Sequence, residues 1–314
     1  MSCKKILAIS QTCCDLEAQA NWYCQQLGFE QEGSERLEGQ WIAGLFGSQE
    51  LTSLERTVLK LGNEQLQLWQ WPAASASIPA DSRSNDRWFQ HICMVTNDLK
   101  ACYSDELRAC SQAISSAPQT LPEWNPGAAG IQAVKFRDPL GHPLELLEFP
   151  ADKGDPRWHQ QRARSAQPMG IDHSAIGIAD TDVSLHFYRD LLGLNVTGTS
   201  LNHGDEQDGL DGLSGTQVKI TSLRPAGQAL GIELLNYQQP VGGRQRQEPR
   251  ATDLCEWRIV MEVSDLEALH DALTRADCVE TCGEIVSLAP GFFSRARGFF
   301  VRDPDQHALV LVGD

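Results

Sequence analysis

Residues 137–149 read RDPLGHPLELLEF and residues 302–312 read RDPDQHALVLV, and the two stretches begin 165 residues apart. A second pair, NWYCQQLGF from Asn21 and HFYRDLLGL from His186, sets Gly28 and Gly193 at that same separation of 165. Two unrelated motifs sharing one offset indicate a duplicated half-chain. Each half is itself double. An Asp standing before an amphipathic helical pattern occurs at Asp15, Asp98, Asp180 and Asp265, at spacings of 83, 82 and 85 residues. Such a period is too long for a helical solenoid and suits a small supersecondary module used four times.

The modules read alike. A short apolar strand opens each (HICMVT, HSAIGIA and RIVMEV are the clearest), and the Asp follows as the N-cap of a helix. Two or three strand-like runs follow, punctuated by Gly, Pro and Asn turns, and the last run alternates: LQLWQW, LELLEF, IELLNY and ALVLV. The expectation is an α+β chain of four βαβββ modules. One such unit leaves a sheet face uncovered, so the modules must pair into two half-barrel-like domains. The first half spans 1–150, with modules 1–80 and 86–150. A Pro-, Gly- and charge-rich linker covers 151–170, and the second half spans 171–314, with modules 171–240 and 252–314.

Composition limits what these modules can do. Of 314 residues, 26 are Lys or Arg and 42 are Asp or Glu, a net charge of -16 that disfavours nucleic acid and anionic membrane surfaces. No apolar run approaches the ~20 residues that span a bilayer. Asp15 and Glu17 interrupt the apolar N-terminal stretch early, so no secretory signal is expected and the cytoplasm is the expected compartment. Ten cysteines without a CxxC pair read as reduced thiols. A monomer or homodimer acting on a small molecule fits these limits.

The stretch IDHSAIGIADTDVSLHFYRDLLGL (171–194) resembles the opening strand and helix of the vicinal-oxygen-chelate superfamily, which includes glyoxalase I, extradiol dioxygenases and bleomycin-resistance proteins. FRDPLGHPLELLEF (136–149) resembles that superfamily's closing turn and strand. The resemblance covers nearly all of both halves and is weakest in the first module. It implies metal ligands at the start of the first strand and the middle of the last strand of a module. Counting seven residues back from each capping Asp gives Ala8, His91, His173 and Arg258. Seven residues on from the Asp of RDP come Glu145 and Val310, and aligning LQLWQW with IELLNY adds Gln67 and Glu233. Pairing modules within each half would split the ligand-type residues into two incomplete sets. Pairing the second module with the third, as some glyoxalase-like proteins do, gathers His91, Glu145, His173 and Glu233 and leaves a metal-free partner domain.

Alternation puts Glu145 on one face with Leu147 and Phe149, and Glu233 with Leu235 and Tyr237, where a carboxylate is costly unless a cation compensates it. Nitrogen and oxygen donors suit divalent Fe, Mn, Co, Ni or Zn without choosing between them. The competing reading makes each carboxylate half of a salt bridge, to Arg137 or Lys219 for instance. His142, His159, His203, His270 and His307 are read as hydrogen-bonded structural residues and His186 as part of a helix. Trp69 and Trp71 are read as core. The run HGDEQDGLDGLSG (203–215) is out of register for a calcium loop and is expected to be a mobile loop, a candidate lid.

The resemblance then implies a metal-dependent enzyme of isomerase or lyase type, in which Glu145 or Glu233 serves as the base. An extradiol-type dioxygenase built on His91, His173 and Glu145 is the first alternative. A non-catalytic small-molecule-binding protein of the bleomycin-resistance type is the second. No cluster of basic residues stands out for a glutathione site.

Overall fold

A computed structural model of the chain describes residues 3–72, 76–160, 166–228, 230–241, 243–279 and 281–314. The first module runs β1 (Cys3–Cys13), α1 (Leu16–Leu27), β2 (Glu30–Glu38), α2 (Gln40–Phe46), β3 (Ser53–Leu61) and β4 (Glu64–Gln70). The second runs β5 (Gln90–Val95), α3 (Leu99–Cys102), α4 (Asp105–Ala109), β6 (Gln112–Ala113), β7 (Gln119–Thr120), β8 (Gln132–Arg137) and β9 (Pro143–Glu148). The third runs β10 (Gly170–Ile178), α5 (Thr181–Leu185), a π-helical turn (His186–Leu191), β11 (Asn195–His203), α6 (Asp205–Asp211), β12 (Gln217–Arg224) and β13 (Gly231–Gln239). The fourth runs β14 (Trp257–Val263), α7 (Leu266–Thr274), β15 (Thr281–Cys282), β16 (Val286–Ser287), a 3-10 turn (Phe292–Ser294), β17 (Arg297–Arg302) and β18 (Ala308–Gly313).

The four capping aspartates do what their position demands. Asp15, Asp98 and Asp265 accept from the amides of Ala18, Ala101 and Ala268, and Asp180 accepts from Asp182 and Val183. Each thereby satisfies amides that the first helical turn leaves unpaired. Gly28 and Gly193, the glycines of the repeat, both adopt positive φ (68° and 77°) at a helix end, a left-handed position that a Cβ penalises.

Among the described residues two nine-stranded sheets result, each built from both halves of the chain as a run of eight strands plus one short strand beside it, β16 on β17 in one and β7 on β8 in the other. One has the order β15-β17-β18-β14-β1-β4-β3-β2 and joins the fourth module to the first. The other, β11-β12-β13-β10-β5-β9-β8-β6, joins the third to the second. Within a module the first and last strands lie parallel, and the modules meet in antiparallel seams, β1 on β14 and β5 on β10. Modules adjacent in sequence are tied differently. The Tyr23 hydroxyl of α1 donates to Asp138 of the RDP turn over 3.1 Å, and its repeat partner Tyr188 donates to Asp303 over 2.9 Å. Residues of all four modules, among them Tyr23, Phe136, Phe187 and Phe299, form the main core.

One expectation is corrected, and two gain detail. The run 203–215 is not a mobile loop: it contains the helix α6, whose Gln207, Leu210 and Asp211 are buried, and Asp208 accepts from the amides of Gly215 and Thr216 to close the turn. The βαβββ pattern is uneven. In the second and fourth modules two-residue bridges (β6, β7, β15, β16) replace the second strand, whereas the first and third insert α2 and α6 before their third strand. The segment 111–120, SQAISSAPQT, has neither the alternation nor the β-branched content to hold a full strand. Nor is the linker only a connector. Of its described residues, Trp158 is buried and Arg157 donates to Glu64 over 2.6 Å. All ten cysteines are free.

Candidate metal centre

The four central strands of the second sheet bring His91 (β5), Glu145 (β9), His173 (β10) and Glu233 (β13) to one cavity of about 460 Å³. The seam decides this. Antiparallel pairing sets His91 opposite Ala175 and His173 opposite Cys93, so the two imidazoles are diagonal neighbours with ring centres 6.0 Å apart. Glu145 and Glu233 then arrive from the flanking parallel strands, paired with Cys93 and Ala175. Glu145 Oε2 lies 3.1 Å from His91 Nε2 and 3.8 Å from His173 Nε2, and Glu233 Oε2 lies 3.4 Å from His173 Nε2. One ligand atom each from His91, Glu145 and His173 falls within a mutual 4.8 Å.

A divalent ion fits this donor set. His173 Nδ1 is 3.0 Å from Asp172, which fixes the tautomer and leaves the Nε2 lone pair facing the two glutamates, while Nε2 itself is buried without a hydrogen-bond partner. Asp172 is anchored in turn by Arg224 Nη2 at 2.8 Å and by the Trp158 indole at 3.3 Å, the outer support that metal-binding imidazoles require. Donors at right angles and ~2.1 Å from an ion stand ~3 Å apart, close to the separations found. His91 Nδ1 is buried and unpartnered, so its tautomer is not fixed in this way.

The electrostatics favour anionic oxygens. Burial opposes ionisation of Glu145, yet the Lys135 ammonium and the two imidazoles outweigh it and hold the carboxyl down at about 2. Burial would likewise raise Asp172, but His173 and Arg224 keep it well below the usual carboxylate range. Burial depresses His91, whereas for His173 the charges of Glu233, Asp172 and Glu145 overcome burial and raise it. Arg137 and Lys219, the salt-bridge alternatives, are not the partners: Arg137 donates to the carbonyls of Gly141 and Ser82, and Ser222 bonds Glu233. Apolar walls from Leu121, Ile131, Leu147, Phe149, Leu210 and Leu235 complete the cavity.

The first sheet holds the remaining ligand positions and makes a different interior from them. Ala8 and Val310 are buried without donors, and Gln67 accepts from the Trp69 indole over 3.2 Å. Arg258 is fully buried, 4.8 Å above Trp69, donating to Thr12 and to the Ala251 carbonyl. Burial, only partly offset by Glu256, lowers its pKa to about 10, so the position carries a cation at neutral pH. The other histidines have structural partners. His142 bonds Asp138 and the Thr12 and Leu254 carbonyls, His307 the Gly177 carbonyl, His270 that of Gly283 and His159 that of Lys153. His203 stacks on Trp124 at 4.1 Å, and His186 is exposed in the π-helical turn.

Asp172, Arg224 and Lys135 were not among the sequence candidates. Asp172 directly precedes His173, and Lys135 interrupts the apolar strand QAVKFR; both were visible as anomalies, whereas Arg224 carried no signal.

The sequence profile of the Glyoxalase/Bleomycin resistance protein/Dioxygenase superfamily matches residues 5–146 and 170–311. Among solved structures, glyoxalase I from Zea mays is similar at 15% identity and a TM-score of 0.59, over 98% of this chain and 92% of that one. A putative dioxygenase from Bacillus subtilis is similar at 14% identity and a TM-score of 0.57, over 100% of this chain and 86% of that one. At such identities the likeness is one of fold. No curated protein matches the sequence. No helix among the described residues is long and apolar enough to cross a membrane.

Proposed function

The chain belongs to the Glyoxalase/Bleomycin resistance protein/Dioxygenase superfamily, and we propose that it is a divalent-metal-dependent isomerase or lyase whose small substrate is chelated through two vicinal oxygens. The convergence of His91, Glu145, His173 and Glu233 on one cavity carries this reading. A bound ion would supply Lewis acidity to the two substrate oxygens, where negative charge develops in the transition state. The glutamates divide the remaining work. Glu145 is tied to His91, faced by Lys135 and 8% exposed, which suits a permanent anionic ligand. Glu233 is 21% exposed and held by the Ser222 hydroxyl through its other oxygen, so it can swing to take a proton from a substrate carbon. Glu233 is therefore the general base.

A second reading has its own support. The tightest cluster is two histidines and one carboxylate, His91, His173 and Glu145, which is the ligand type of non-haem iron oxygenases, with Glu233 outside it. Metal analysis of the purified protein tests both readings against a non-catalytic binding protein, which needs no metal. Glu233→Gln separates the first two. It abolishes turnover if Glu233 is the base, and it leaves oxygen consumption with catechols within a few-fold if Glu233 is peripheral.

A further inference from the structure

The cavity has a second polar pole beside the four candidate ligands, and only its Lys135 bears on them, through the charge it sets opposite Glu145. Lys135 Nζ donates to Asp211 Oδ1 over 2.7 Å, Gln207 Nε2 to Asp211 Oδ2 over 2.7 Å, and the Tyr237 hydroxyl to Asp211 Oδ2 over 3.0 Å. Lys135 and Gln207 line the cavity, and Asp211 stands behind them as the residue that positions both. A buried ion pair of this kind contributes little net stability compared with well-packed apolar side chains. The molecule carries that comparison within itself. At the repeat-related positions of the metal-free sheet, Lys135 becomes Phe300, Asp211 becomes Phe46, Gln207 becomes Ile42 and Tyr237 becomes Trp71. Phe46 packs there at 5.6 Å from Phe300 and 5.2 Å from Trp71, with the Arg258 guanidinium over both Phe46 and Trp71, so the same scaffold fills these four positions without an ion pair among them. The polar version therefore needs a reason other than folding.

Two unused valences point to that reason. Gln207 is 2% exposed, its amide nitrogen is committed to Asp211, and its Oε1 has no donor. Among the described residues the Lys135 ammonium donates to Asp211 only, which leaves two of its three protons. One wall thus lacks a donor and its neighbour lacks an acceptor. We propose that Lys135 and Gln207 form a receptor for a hydroxyl group on the substrate beyond its two chelating oxygens, the hydroxyl donating to Gln207 Oε1 and accepting from Lys135. A carboxylate fits less well, because Asp211 already neutralises Lys135 and a second anion would face it. This rests on the metal-chelation reading above and narrows it to hydroxylated, otherwise largely apolar substrates.

The test uses the full-length protein loaded with Zn(II) and calorimetric titration of benzohydroxamate, which chelates through two vicinal oxygens, beside its 3-hydroxy, 4-hydroxy and 4-carboxy derivatives. One hydroxylated probe is expected to bind roughly tenfold tighter than benzohydroxamate, a charge-assisted hydrogen bond's worth, with the carboxylated probe weaker. In Gln207→Leu the ratio should fall to about one. Equal binding of all probes by the wild type, or a preference that survives in folded Gln207→Leu, overturns the receptor. The wild-type comparison decides the matter even if that variant does not fold. Protein that takes up neither zinc nor benzohydroxamate overturns the metal reading and the receptor with it, whereas protein that takes up both without preference overturns the receptor alone.

Discussion

His173 is held from both sides, by Asp172 at Nδ1 and by its strand, while its Nε2 faces two carboxylates with no hydrogen-bond partner. A divalent ion set between that atom and the two carboxylates would take its lone pair in place of a proton. His173→Ala is expected to lose bound metal, measured as stoichiometry on purified protein, while the melting temperature without metal changes little. Asp172→Asn keeps the ligand but weakens its support, and about a 10–100-fold loss of metal affinity is expected, read in a chelator competition. Glu256 tests a different balance. Burial opposes its charge, but Arg302, Arg246 and Arg258 outweigh that and lower its pKa from 4.5 to about 2. Its contribution is complete above pH 4.5 and is lost as pH falls toward 2, on the order of 3 kcal/mol in all. Urea unfolding at pH 6 and pH 3 should show a smaller acid loss in Glu256→Gln than in the wild type. That variant should also be less stable at pH 7, because it strands buried guanidinium groups.

Single elements carry separable roles. The N-cap of α7 lies in the fourth module, on the sheet that lacks the candidate ligands, so Asp265→Ala should cost about 1 kcal/mol in denaturant unfolding and leave metal content unchanged. The first strands of that sheet make a sharper case. Arg258 occupies the place that His91 takes in the other sheet, yet it packs against Trp69, Thr12 and the Ala251 carbonyl. Arg258→Ala is expected to lower stability by about 3 kcal/mol or more through the lost packing and the charge imbalance around Glu256. Metal bound per folded molecule should stay at the wild-type level, and Glu145→Gln should reverse that pattern. Metal lost from Arg258→Ala and kept by Glu145→Gln would mean that the two sheets have their roles the other way round.

At the scale of the whole molecule, the cavity belongs to neither half of the chain. Residues 1–155 bring His91 and Glu145, residues 166–314 bring His173 and Glu233, and the β5–β10 seam joins them. Expressed separately, neither segment should retain a metal through gel filtration, and co-expression should restore it. Metal retained by one segment alone would mean that a half-chain pairs its own modules.

Much of this was legible in the chain because the signals are local and recur. The 165-residue offset, the four capping aspartates and the alternating last strands each depend on a few neighbouring residues, so period and spacing alone pointed to four modules. The four candidate ligands followed from the strand positions that the family resemblance implies, located by counting within each module, and the unequal residues at those positions pointed to the pairing of second module with third that the resemblance permits. Tertiary structure decided what depends on distant segments meeting. Lys135 and Asp211 are 76 residues apart and Asp172 and Arg224 are 52 apart, and no local pattern relates such pairs. The short helix α6 is held by burial and by its Asp208 turn more than by propensity, so its composition read as a loop. A charged residue in a sequence shows that a charge must be compensated; only the fold supplies the partner, because desolvation and Coulomb terms depend on distances that the linear order does not set.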